Sequence, residues 1–80
     1  YAALHVFSAA VTDTLDVIVE SDEAEAFTTP TTRLTFTQTA AATSEWKEAL
    51  GAVTDTWWRV KATIGGVDPS FNIAVSVGIL

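Results

Sequence analysis

The sequence predicts an antiparallel all-β domain, a β-sandwich of jelly-roll type. Three observations carry that prediction. Five stretches alternate apolar and polar residues with a period of two, as strands do because successive side chains point to opposite faces. Turn-forming residues separate most of these stretches, as short antiparallel strands require. Threonine is abundant and suits exposed strand faces.

The first strand is read as Ala2 to Ala9, with Leu4 and Val6 on one face and His5 and Phe7 on the other. The short stretch Val11 to Thr14 then leads into a second strand ending near Ser21, and a hairpin is the simple reading of that connection. Leu15, Val17 and Val19 share one face of this second strand. An acidic loop follows at Ser21 to Ala26, with Phe27 expected to anchor its far side to the core. Pro30 lacks an amide donor and biases Thr29 to an extended conformation.

A third strand is expected over Thr32 to Thr39, with Leu34 and Phe36 on one face. The segment from Thr39 to Leu50 is ambiguous. Ser44 could cap a helix that Gly51 would end, but Trp46 and Leu50 form a single apolar pair, so a loop or irregular strand with one helical turn is favoured. A fourth strand runs over Thr54 to Ile64, sharing Trp58, Val60, Ala62 and Ile64 on one face. Gly65 to Pro69 reads as a turn. A fifth strand, Ser70 to Ile79, places Phe71, Ile73, Val75, Val77 and Ile79 together. The expected core is Leu15, Val17, Val19, Leu34, Phe36, Trp58, Val60, Phe71, Ile73 and Val75.

Eighty residues form one domain, spanning 1–80. A chain of this size buries only about 60% of the surface its unfolded form exposes, which makes its own stability marginal. There is no cysteine, which excludes a disulfide, a thiolate metal site and a thiol nucleophile. The formal net charge is −6, from ten acids and four bases. That sign repels phosphate, so neither nucleic acid nor an anionic membrane is expected as a partner. The first residue is Tyr1, which leads straight into a strand, and the chain is read as the C-terminal part of a longer polypeptide.

Little in the sequence carries chemistry. His5 is the only histidine, and no nucleophile or orienting acid stands beside it in sequence, so a structural or interface role is assigned. Asp22, Glu23 and Glu25 could offer oxygens to calcium, but they lack the glycine and the spacing of an EF-hand loop. The Asp22 to Glu25 loop is therefore expected to be solvated and metal-free. Paired carboxylates for glycoside hydrolysis have no sequence signature here. Arg33, Arg59 and Lys61 are expected to pair with Glu20, Asp16 or another chain's acids.

The tryptophans are more informative. Neighbouring Trp57 and Trp58 must face opposite ways on a strand. Trp58 shares the apolar face and is assigned to the core. Trp57 then projects outward beside Arg59 and Lys61, where an exposed ring is buried by a partner or stacks on a sugar. The interface or ligand candidates are Trp57, Trp46, Tyr1, Phe7 and Arg59. No catalytic, cofactor or metal residue is assigned.

Three segments, taken together, resemble small β-rich structural proteins of tailed bacteriophages and prophages. They are Ala2–Ala9 followed by Leu15–Asp22, then Thr31–Gln38, then Trp58-Arg59-Val60 with Ile64-Gly65-Gly66 and Pro69-Ser70-Phe71. The resemblance implies a non-enzymatic virion component without cofactors, either a capsid decoration protein or a tail or fibre protein. Its expected partners are copies of itself and other virion proteins, with host-surface glycan as a further one. The same alternation suits a carbohydrate-binding module that uses Trp57 or Trp46 as a platform, because fold alone does not decide function.

Overall fold

A computed structural model describes residues 1–9, 14–49, 54–66 and 71–78. Among these the chain forms six strands and no helix: β1 (Ala2–Ala9), β2 (Thr14–Asp22), β3 (Thr31–Thr35), β4 (Thr43–Lys47), β5 (Trp57–Gly65) and β6 (Phe71–Val77). They build two three-stranded antiparallel sheets, one in the order β4-β1-β6 and the other β3-β2-β5. All pairing between neighbouring strands is long-range, except that β2 and β3 are joined directly by an eight-residue loop, 23–30.

Alternation decides which residues meet. Ala2, Leu4 and Val6 of β1 are buried together with Leu15, Val17 and Val19 of β2, and with Leu34 and Phe36. These residues of both sheets form one apolar cluster. Register carries the pattern outward, since residues directly opposite in a ladder share a face. Trp58, Val60, Ala62 and Ile64 oppose Ser21, Val19, Val17 and Leu15, so they lie on the core-bearing face of their sheet. Ile73, Val75 and Val77 oppose Val6, Leu4 and Ala2, so they do the same in the other.

Five sequence expectations need correction. The first two strands do not form a hairpin, because β1 and β2 are the central strands of different sheets. Each is thereby flanked on both sides, which gives the two strands with the most deeply buried residues the greatest cover. The ambiguous segment holds a strand, β4, paired to β1 from Thr43 to Lys47, since one apolar pair gives a helix too little to bury. Val60 is on the predicted face but 39% exposed, because β5 is an edge strand. Asp22, expected in solvent, is buried. The third strand ends early at Thr35, although Phe36 and Thr39 still bond to Val17 and Leu15. The expected connection at Val11 to Asp13, the Gly51 helix stop, the Val67 to Pro69 part of the turn and Ile79 lie outside the described residues.

Two bulges re-aim side chains, as bulges do. One interrupts the β2–β3 register between Val19 and Glu20, where Arg33 is the extra residue. Without it Arg33 would oppose Glu20; with it the guanidinium reaches Ser21 on the core-bearing face. The other lies between Val6 and Ser8 on β1, at Phe7.

Candidate interaction surfaces

Several polar side chains among the described residues bond to one another. Arg33 donates from Nε to the Ser21 hydroxyl at 2.7 Å and from its terminal nitrogen to Asp55 Oδ2 at 2.8 Å. Ser21 donates to the same Asp55 oxygen at 2.6 Å. These hydrogen bonds, Ser21 first and then Arg33, hold the Asp55 carboxyl below its ordinary pKa. Nearby, Trp58 Nε1 donates to the Asp55 carbonyl at 3.1 Å. The group closes the end of the core where β2 meets the segment before β5.

On the other face of the same sheet, Arg59 pairs with Glu20 and lies over the Phe27 ring at 4.4 Å. That is why Glu20 is buried. Phe27 has φ of 50°, an uncommon conformation for a bulky side chain. Its turn is fixed by its own amide donating to Ala24 O, and by Asp22, whose carboxylate accepts from the amides of Ala24 and Thr29. Local hydrogen bonding to its own loop thus explains the buried Asp22. Glu23 and Glu25 are exposed, and the described residues contain no group of three or more potential metal ligands.

The five candidate residues do not form one site. Trp57 and Arg59 lie on the face of the β3-β2-β5 sheet away from the core, Trp57 opposite Asp22 and Arg59 opposite Glu20. Trp57 remains well exposed, whereas Arg59 is engaged internally. Tyr1, Phe7 and Trp46 belong to the other sheet, on its face away from the core. Phe7 is 66% exposed and Trp46 54%. The Tyr1 and Trp46 rings stack with centroids 6.2 Å apart, and His5 stacks on Phe7 at 6.3 Å. The floor beneath is small: Ala3 opposes Trp46 and Ser76, and His5 opposes Ser44 and Ala74. Gly78 makes room for Tyr1, since a Cβ there would lie 2.6 Å from the ring. His5 Nδ1 sits 3.3 Å from the Ser44 hydroxyl, in the open.

A second surface was missed by sequence reasoning. The core-bearing faces of the edge strands differ. On β4 the residues facing Ala2, Leu4 and Val6 are Lys47, Glu45 and Thr43. Glu45 accepts from the Thr37 amide at 2.9 Å, and that bond lowers its pKa. This edge is compatible with water. On β5 and β6 the corresponding residues are apolar and incompletely covered: Ile64 is 45% exposed and Val77 49%, while Trp58, Phe71, Ile73 and Val75 are half-buried. The available signal in the sequence was that β6 contains no charged residue at all.

The chain matches no family model, no curated protein and no solved structure.

Proposed function

We propose that this chain is a non-enzymatic structural subunit that works through contacts with copies of itself and with other proteins, as a virion component of a tailed bacteriophage would. In this reading the two sheets pack as a sandwich of jelly-roll type. β3 and β4 close one flank, tied by the Thr37–Glu45 bond, and β5 and β6 line the other. The observation that carries the reading is the incomplete cover of that second flank. Val60, Ile64 and Val77 continue the core outward and remain substantially exposed, although apolar surface is favourably removed from water. Contiguous apolar surface of this kind marks interaction sites.

The radius of gyration supports it. It is 13.4 Å, against about 12 Å for a compact domain of this length. A partner would complete the core that the chain alone leaves open. The exposed aromatic row of Tyr1, Trp46, His5 and Phe7 offers a further contact face.

The rival reading is a carbohydrate-binding module. Trp46 favours it by its exposure, but its ring is stacked against Tyr1, which occupies one face of each ring. A sugar platform needs ring faces presented to the ligand. Sedimentation equilibrium over a range of concentrations tests the proposal. Concentration-dependent association supports it. A monomer persisting at high micromolar concentration, together with glycan binding abolished by Trp46→Ala or Trp57→Ala, would replace it with the rival.

A further inference from the structure

We infer that the free edge of β6 pairs with the β6 edge of a second copy, antiparallel, across a two-fold axis at Ala74. This rests on the assembly reading and names the contact.

The backbone comes first. Tyr1 and Gly78 exchange both hydrogen bonds, N to O at 3.0 Å in each direction. In an antiparallel ladder such hydrogen-bonded pairs alternate with non-hydrogen-bonded ones. Ser76 and Ala74 therefore turn their amides and carbonyls toward β1, and Val77, Val75, Ile73 and Phe71 turn theirs away. Among the described residues β6 pairs only with β1, so these outward groups form a free ladder edge. The same four residues carry their side chains on the core-bearing face.

Charge chooses the strand. Free edges invite pairing with other chains, and charged residues or proline normally block it. β3 contains Arg33 and follows Pro30, β4 contains Glu45 and Lys47, and β5 contains Arg59 and Lys61. β6, Phe-Asn-Ile-Ala-Val-Ser-Val, has neither charge nor proline.

Charge also chooses the occupant. Two copies of a chain of net charge −6 repel, so a self-contact needs an edge where no like charges meet. A β5–β5′ pairing centred on Lys61 would set Lys61 against itself. Pairing β6 with itself about Ala74, the middle of the strand, sets Phe71 against Val77 and Ile73 against Val75, twice each. Apolar and β-branched cross-strand pairs stabilise a ladder. The half-buried side chains of each copy then cover those of the other, and the β4-β1-β6 sheet continues as six strands with its core-bearing face unbroken.

Ala74 gives a clean test. It is exposed on the face away from the core, so its substitution spares the cluster. At the axis it forms a non-hydrogen-bonded pair with its own copy, with Cα atoms about 4.5 Å apart. Ala74→Lys and Ala74→Glu should each keep the wild-type circular dichroism and weaken self-association by about tenfold or more, because like charges meet at the axis. Mixing the two variants should restore a dimer containing one of each. The chain has no cysteine, so oxidation of Ala74→Cys should yield a single disulfide-linked dimer, the spacing being within disulfide reach. Association that both charged variants leave unchanged would overturn the β6 contact and leave the assembly reading standing. A wild-type chain that stays monomeric at every concentration would overturn both.

Discussion

Asp55 joins three parts of the chain through one carboxylate oxygen, which accepts from Ser21 of β2 and Arg33 of β3. Because the Ser21 and Arg33 bonds lower its pKa in the folded state, folding favours the ionised form. The resulting stability is present above the unfolded pKa of an aspartate and disappears as pH falls through the folded value. Asp55→Asn should therefore lower the urea midpoint at neutral pH, and the gap from wild type should close on acidification. A gap that stays constant with pH would show that the carboxylate's charge does not matter. Burial sets a second contrast. Leu4 is fully buried in the cluster, so Leu4→Ala should cost about 2–5 kcal/mol, a large share of a small domain's stability. Val60 lies on the same type of face but at an edge, and Val60→Ala in dilute monomer should cost under about 1 kcal/mol. Equal losses in urea titrations would mean that the flank is better covered than its exposure indicates.

At the level of elements, Gly78 acts on the aromatic row without belonging to it. An added Cβ would collide with the Tyr1 ring, which must then swing off Trp46. Gly78→Ala should diminish the near-ultraviolet circular dichroism of the aromatic residues while the far-ultraviolet strand signal persists. An unchanged near-ultraviolet spectrum would mean that the stack tolerates the methyl group. Alternation made most strands readable, and β1 has the very bounds expected of it. Likewise, the choice of Trp58 over Trp57 for the core followed from the apolar partners of Trp58, and Trp58 packs on the cluster. β4 was unreadable for a physical reason. Its core-bearing positions are Thr43, Glu45 and Lys47, so it lacks an apolar face, and its strand character comes from pairing with β1. The separation of Trp57 from Trp46 was equally hidden, because alternation assigns faces within a sheet and is silent on which sheet a strand joins. The Ser21–Arg33–Asp55 group depended on a bulge, which no local pattern announced.

For the whole molecule, charge and shape pull in opposite directions. Ten acids against four bases keep copies apart, while the uncharged β6 edge and the exposed apolar residues beside it draw them together. Arg33, Lys47 and Arg59, three of the four bases, are engaged in internal ion pairs, so little of the small positive complement is free to attract another acidic copy. Self-association should therefore be driven by apolar burial and backbone pairing, and opposed by electrostatics that salt screens. The Debye length shortens from about 30 Å at 0.01 M to about 10 Å at 0.1 M, so repulsion between two domains of this size is weakened across that range. Raising ionic strength should strengthen self-association, seen as a rise in weight-average mass by sedimentation at fixed protein concentration. Association driven by complementary charges, for instance acids of one copy on Lys61 of another, would respond in the opposite sense. A dimer that dissociates as salt is added would therefore exclude an uncharged edge as its principal contact.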